Sequence, residues 1–312
     1  VVSFLFPGQG SQEPGMGKAL ADAYPAARQV FEEADDALGF SLSALCFEGS
    51  EAELVRTEIT QPAILATSIA ALAALRAERP DLAPRYAAGH SLGEWSALVA
   101  VGALRFADAV RLVRERGRLM QLAVPEGQGA MAAVMGLEAE QIRAVCAEVS
   151  AQSAQVVVAA NYNSKEQTVI SGTRSAVEAA KVALEGAGAK KVALLAVSAP
   201  FHSPLMEPAA RGLAEALRPI EVGRLTAPVI TNVEARPNQD PERVKALLVA
   251  QVTAPVRWVE TATLLLAEGE ATAIEVGPGR VLAGLAKRID RALTVLPTQD
   301  PASLQKALAA LA

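Results

Sequence analysis

The stretch Gly89-His90-Ser91-Leu92-Gly93 constrains this chain more than any other. A serine with glycines two residues before and two after it marks a sharp strand-to-helix turn, whose backbone bends through space that a Cβ would fill. The flanks supply both elements. Tyr86-Ala87-Ala88 leads in as a strand, and residues 94–101 run on as a helix ending at Gly102. Such a turn exposes the serine hydroxyl, and the unpaired N–H groups of the new helix face it, which suits a developing oxyanion. The expectation is an enzyme that handles acyl groups through Ser91; the competing reading is an ordinary glycine-containing turn before a helix.

A serine hydroxyl is a weak nucleophile at neutral pH and needs a base within hydrogen-bond reach. The chain has two histidines. His90 adjoins Ser91 in the turn, where neighbouring side chains diverge, so His202 is the candidate base. It lies in the loop Ser198-Ala199-Pro200-Phe201-His202-Ser203-Pro204, which follows an apolar strand at 192–197. A lone loop histidine is more often a surface residue; the need of Ser91 for a base is what favours catalysis here.

Residues 1–6 read as a buried strand and 7–12 as the loop leaving its carboxyl end. Its glycines fail the dinucleotide fingerprint, because Glu13 stands where the third glycine belongs, and fail the phosphate loop, because Met16 follows Gly15 where lysine is required. Gln9 could instead lend its backbone N–H to an oxyanion, although an ordinary turn explains the loop equally well. Helices are expected at 22–38, at 61–79 with Pro62 in the first turn and Pro80 as the stop, and at 106–123. On the last of these Arg111, Arg114, Glu115 and Arg118 share a polar face, whereas Arg116 has Leu112, Val113, Leu119 and Met120 as helical neighbours. A guanidinium in an apolar stripe must meet an anion or water, since an unpaired buried charge costs several kcal/mol. A structural ion pair, a side chain that snorkels to the rim and an anion-binding role all satisfy that demand.

Further along, strands at 130–135, 156–160, 168–171 and 192–197 and helices at 138–149 and 175–186 follow the order β-α-β-β-α-β. That is the ferredoxin-like arrangement, able to form its own two-layer core. The expected fold is therefore α/β: a large α/β-hydrolase-like domain with a parallel sheet, residues 1–127 and 198–312, and a small inserted ferredoxin-like subdomain, residues 128–197. The insertion would deliver His202 back to the domain bearing Ser91, with the substrate in the cleft between them. The rest reads as an interrupted helix to Leu217 with Pro208 near its start, a strand at 228–232, helices at 241–252 and from 258, a strand at 273–276, the turn Gly277-Pro278-Gly279 and a helix at 281–289.

Composition narrows the function classes. The 312 residues are 51% hydrophobic and 4% aromatic, which fits helices packed on a sheet. A formal charge of −5 argues against a general nucleic-acid binder. Cys46 and Cys146 have no metal-ligand spacing, and a reduced, cytoplasmic setting is the simplest reading. The longest apolar run, residues 64–75, is broken by Thr67 and Ser68 and is short for a bilayer, and no export signal is evident, so no membrane association is expected.

Taken together, Phe6-Pro7-Gly8-Gln9-Gly10-Ser11-Gln12, Gly89-His90-Ser91-Leu92-Gly93-Glu94, Arg116-Gly117, Phe201-His202 and Glu275-Val276-Gly277-Pro278-Gly279 stand in the order and spacing of one family. The whole chain resembles the malonyl-CoA:acyl carrier protein transacylases of bacterial fatty acid synthesis. The resemblance implies a Ser91 nucleophile with His202 as base and no carboxylate third member. It also implies that Gln251 holds the other ring nitrogen of His202, that the N–H groups of Gln9 and Leu92 form the oxyanion hole, and that Arg116 binds the malonyl carboxylate, with Phe201 and Met120 beside the acyl group. Malonyl-CoA and phosphopantetheinylated acyl carrier protein would be the substrates, with no metal or other cofactor, in a ping-pong reaction of a monomer. The bulk of Phe201 speaks for malonyl over methylmalonyl groups. An acidic carrier would meet basic residues at the cleft mouth, with Lys190, Lys191, Lys287 and Arg288 as candidates. The rival readings are a serine esterase or thioesterase, which would need a carboxylate on its histidine, an acyltransferase of other acyl specificity, and a non-catalytic carrier-binding module.

Overall fold

The computed structural model describes residues 2–197 and 199–311. Val1, expected in the first strand, and Ser198, expected in the His202 loop and at a domain boundary, lie outside the described residues. Among those described, ten strands form two sheets: β1 (Val2–Phe6), β2 (Pro84–Gly89), β3 (Gly129–Met135), β4 (Val157–Ser164), β5 (Gln167–Thr173), β6 (Lys191–Leu194), β7 (Val229–Ile230), β8 (Pro237–Asn238), β9 (Thr272–Glu275) and β10 (Thr294–Pro297).

The larger sheet has the order β10-β9-β1-β2-β7-β8 and is parallel except for β8. The run VSFLF sits near its centre because it is apolar on both faces. Phe4 and Phe6 join one core with Ala87, whereas Leu5 joins the opposite core with Ala88, Ile230 and Trp258. Phe6 pairs with Gly89 at the carboxyl ends of β1 and β2, so the loop after Phe6 and the turn carrying Ser91 leave the sheet side by side. That edge is where a parallel sheet opens a crevice for ligands.

The smaller sheet, β4-β5-β3-β6, is antiparallel throughout, and its elements follow the expected β-α-β-β-α-β order. Helices Ala139–Ser153 and Arg174–Gly186 cover one face and bury Ile142, Cys146, Val177 and Leu184 against it. Met131, Ala160 and Val169 belong instead to the main core. Its edge strand β4 is tied to the larger unit by the backbone of Val256, whose carbonyl accepts from Tyr162 N at 2.9 Å and whose N–H donates to Ala160 O at 2.8 Å.

Several boundaries differ from the sequence expectation, each for a local reason. The helix expected at 22–38 is two, Lys18–Ala23 and Pro25–Leu38, because the residue before a proline is pushed out of the helical region; Tyr24 has φ −126° and ψ 112°. The helix expected from residue 61 starts at Thr57 and holds Pro62 inside it. This helix, Thr57–Glu78, is by length and composition apolar enough to cross a membrane, a length the interrupted run had hidden; here it lies inside the core. The strand expected at 192–197 stops at Leu194, after which Leu195 makes one last bond to Met131 and the chain turns off toward Ser91. The strand expected at 228–232 shrinks to two residues, freeing Asn232 for a side-chain role. Helices Leu42–Glu48, Glu51–Leu54 and Pro301–Ala310 and strands β8 and β10 had no counterpart in the sequence reading.

The turn glycines are required sterically. A Cβ on Gly93 would stand 2.0 Å from Phe6 O, and one on Gly89 1.9 Å from Gly93 C. Gly93→Ala should therefore cost about 3 kcal/mol or more of stability. Gly284→Ala, in the exposed middle of helix Val281–Ile289 with no atom near the added carbon, should gain about 0.5 to 1 kcal/mol. Urea unfolding of the two variants checks the contrast, and equal stabilities would show that the contact at Phe6 relaxes without cost.

Candidate active site

Ser91 is held in the left-handed region, with φ 51°, at the turn between β2 and helix Gly93–Ala100. A non-glycine residue adopts that conformation only where its surroundings enforce it. Asn232 provides the enforcement from the end of β7: its Oδ1 accepts from Ser91 N at 2.7 Å and its Nδ2 donates to Gly89 O at 2.6 Å. Gln251, in helix Pro241–Thr253, donates from Nε2 to Ser91 O at 3.0 Å. The nucleophile's peptide groups are thus pinned on both sides by neutral side chains.

His202 also has positive φ, 55°, and its Nε2 stands 2.7 Å from Ser91 Oγ. Its Nδ1 faces the backbone carbonyls of Gln251 at 2.9 Å and Ala254 at 3.1 Å. Carbonyls only accept, so Nδ1 carries the proton and Nε2 presents its lone pair to the serine hydroxyl. Burial, reinforced by the positive charge of Arg116, pushes His202 down to about 3. The imidazole is therefore neutral, ready to take a proton, across the whole physiological range. Gln251 meets the second ring nitrogen as the resemblance implied, but through its main chain; its side chain serves other groups.

Arg116 lies in the apolar stripe of helix Phe106–Leu122 and is 2% exposed. It is neither in an ion pair nor snorkelled to the rim. Nη1 donates to Gln61 Oε1 at 2.8 Å, and Nη2 donates to Gln251 Oε1 at 3.0 Å and to Ser91 Oγ at 3.2 Å. Its Nε has no acceptor among the described residues. Burial lowers its basicity to about 10, which leaves it cationic at neutral pH. The site therefore holds a positive charge met by neutral oxygens, with donor capacity to spare.

These groups share a cavity of about 120 Å³, lined by Gln9, Gln61, His90, Ser91, Leu92, Arg116, Met120, Met131, Asn161, Leu195, Val197, Phe201 and His202. All but one of the expected site residues line it; the exception, Gln251, stands behind it. Gln9 and Leu92 flank the nucleophile from the two adjoining loops, and among the described residues their backbone N–H groups donate to no protein acceptor. His90 turns away from Ser91, its Nε2 2.7 Å from Asn163 Oδ1 of β4, which accounts for its unsuitability as the base. Lys190, Lys191, Lys287 and Arg288 are exposed and outside the cavity lining.

Sequence reasoning passed over Gln61, Glu94, Asn161 and Asn232. Gln61 carried a signal, an amide side chain close to the long apolar run of its helix. Glu94 carried one too, a carboxylate on the first turn of a short apolar helix; it is 2% exposed. Asn232 had none, because the sequence reading placed it inside a strand that ends two residues earlier. The Glu275 motif turns out to be architectural: its carboxylate accepts from Leu282 N and Ala283 N at 2.9 and 2.8 Å, capping the start of helix Val281–Ile289.

Known proteins resemble this chain along nearly its whole length. The family model for the acyl transferase domain matches residues 3–300. A malonyl CoA-acyl carrier protein transacylase of Bacillus subtilis is 46% identical over 99% of this chain and 97% of its own length. The solved structure of the malonyl CoA-acyl carrier protein transacylase from Coxiella burnetii superposes with a TM-score of 0.96 at 41% identity, covering 99% of this chain and 96% of that one. A malonyl-transacylase solved in complex with a type II PKS acyl-carrier protein gives 0.95 at 47% identity, covering 99% of both chains. The chain belongs to the acyl transferase domain family, among its malonyl CoA-acyl carrier protein transacylases.

Proposed function

We propose that this chain moves a malonyl group from malonyl-CoA to the phosphopantetheine thiol of an acyl carrier protein, through an ester on Ser91. The observation that carries this reading is the pair of contacts on one hydroxyl: His202 Nε2 at 2.7 Å to take its proton, and the buried Arg116 cation at 3.2 Å where the acyl group must lie. The relatives' names and the carrier complex of one of them support the same substrates.

In the first half-reaction the Ser91 proton passes to His202 Nε2 as Oγ attacks the thioester carbon. Charge gathers on the former carbonyl oxygen, where the N–H groups of Gln9 and Leu92 receive it. Collapse breaks the carbon–sulfur bond, and CoA departs as a thiol with the proton from Nε2. The carrier thiol then gives its proton to His202 and attacks the ester, and Ser91 recovers a proton as it leaves. The malonyl carboxylate replaces Ser91 Oγ as a partner of Arg116 in a charge-assisted pair. Every proton in the cycle moves between the serine, the histidine and the two thiols, so the reading calls for no metal or other cofactor. It takes the chain as a cytoplasmic monomer, with residues 128–197 as one wall of the cleft, no role for nucleic acid or membrane, and the exposed Lys190, Lys191, Lys287 and Arg288 as the carrier's landing points. The carbonyls on His202 Nδ1, where a hydrolase reading expected a carboxylate, speak against a generic esterase.

Malonyl-CoA without an acceptor thiol should leave a malonyl adduct on Ser91 by intact-mass analysis. Ser91→Ala should abolish it, and His202→Ala should slow its formation about a hundredfold or more. An adduct that survives Ser91→Ala would assign the chemistry to another residue.

Arg116→Ala should lower kcat/KM for malonyl-CoA about a hundredfold or more, the cost of leaving a desolvated carboxylate unpaired, while acetyl-CoA loses far less or gains. A folded variant that keeps its malonyl preference would make Arg116 structural.

Burial of His202, reinforced by the charge of Arg116, also sets the pH response. With His202 lowered to about 3, acylation should hold as pH falls through 6.5, the range in which an ordinary histidine base would protonate. Folding stability has the opposite tendency. The unfolded histidine binds a proton below about 6.5 and the folded one does not, so the stability His202 contributes is full above that pH and lost toward about 3. NMR titration of the imidazole checks both, and Arg116→Ala should move its pKa upward.

A further inference from the structure

One buried carboxylate near the nucleophile is left unused by the mechanism above. Glu94 opens the helix after the turn, and its Oε2 accepts two hydrogen bonds, from Asn232 N at 3.0 Å and from Gln251 Nε2 at 2.8 Å. Those two residues do nearly all the holding in the site. Asn232 binds the N–H of Ser91 and the carbonyl of Gly89. Gln251 binds the carbonyl of Ser91, receives Arg116 on its amide oxygen and receives His202 on its main-chain oxygen. The Gln251 amide therefore lies between a cation at its oxygen and a carboxylate at its nitrogen, the orientation in which its dipole is favourable at both ends.

We propose that Glu94 is a positioning residue for the transfer reaction, locking the Gln251 amide so that one residue presents an oxygen to Arg116 and a carbonyl to His202, and that its charge sets how well the site receives a free carboxylate. The proposal rests on the transfer reading given above. Without an acceptor at position 94 the Gln251 amide loses its charged anchor and keeps Ser91 O and Asn232 Oδ1 as the acceptors on Nε2, which weakens the hold against a turn that would set its NH₂ against the guanidinium. Arg116 would lose its seat and His202 its fixed brace, although neither touches Glu94.

The charge has a second consequence. Burial pushes the Glu94 carboxyl up to about 7, against the opposing pull of the Asn232 N–H, the Gln251 amide and the Arg116 charge. Among the described residues the elements around it bring one charged group, Arg116 from helix Phe106–Leu122; Asn232 and Gln251 are neutral, and His202, also neutral, lies beyond the Gln251 main chain. Below pH 7 the site keeps a net positive charge for the incoming carboxylate. Above it, ionised Glu94 offsets Arg116 and repels that carboxylate, so KM for malonyl-CoA rises with pH, whereas KM for acetyl-CoA, whose acyl group bears no charge, does not.

The test compares wild type, Glu94→Ala and Glu94→Gln by the rate of Ser91 acylation from malonyl-CoA and acetyl-CoA at pH values on both sides of 7, with folding followed by circular dichroism. Glu94→Ala should lower malonyl acylation about ten- to a hundredfold, the worth of one buried charge-assisted hydrogen bond, and shrink the malonyl-to-acetyl ratio. Glu94→Gln keeps an acceptor for both N–H groups and should restore the ratio at low pH while abolishing the rise of malonyl KM through pH 7. If Glu94→Ala fails to fold, Glu94→Gln carries the test alone through its pH profile. Wild type that gains no malonyl adduct would sink the transfer reading itself. Wild type that is acylated, beside a Glu94→Gln enzyme with the same pH dependence of KM and an unchanged malonyl-to-acetyl ratio in any folded Glu94→Ala, would overturn the role of Glu94.

Discussion

Three backbone segments meet at the carboxyl end of β1 and β2 with no side chain between them, and the rest of the site is built on that contact. Gly93 packs where a Cβ would touch Phe6 O, Gly89 where one would touch Gly93, and Gly8 where one would stand 2.2 Å from His90 O. The close approach bends the chain so sharply that Ser91 takes φ 51° and its hydroxyl projects from the sheet edge. It also lays the Gln9 loop next to the start of the helix, so that N–H groups from two separate strands border the same small space. Strain at the serine is sustained because Asn232 and Gln251 hold both of its peptide groups.

The electrostatics of the cavity follow from what surrounds Ser91. A buried arginine met by neutral oxygens is costly, and it adds to burial in lowering the proton affinity of the histidine beside it. On the proposed function both effects would be relieved by the arrival of an acyl group that carries its own carboxylate, which would place discrimination in the chemical step as well as in binding.

The small sheet contributes more than a wall. Through Val256 the edge of β4 fixes the segment that ends helix Pro241–Thr253, and Ala254 of that segment supplies one of the two carbonyls on His202 Nδ1. Through Asn163 the same strand holds His90 and with it the turn that carries Ser91. Nucleophile and base thus come from distant parts of the chain, yet each is tied to one antiparallel edge.

What the sequence by itself determined is the chemistry of single residues and local turns. The glycine spacing around Ser91 requires a tight turn because glycine alone fits there, the mostly apolar VSFLF requires a buried strand, and Arg116 among leucines and valines requires a polar partner. The element order of the small sheet was legible for the same reason, since hydrophobic periodicity is local. Tertiary structure alone decided the partners. Gln251 braces His202 with its main chain, which no side-chain identity reports. Asn232 reaches the turn because its strand ends early, Glu94 is buried because Gln251 closes over it, and the guanidinium sits on Ser91 Oγ because two helices cross at that point. Each of these contacts joins positions far apart in the chain, and pairing across such distances is fixed by packing of the whole core, which no window of sequence contains.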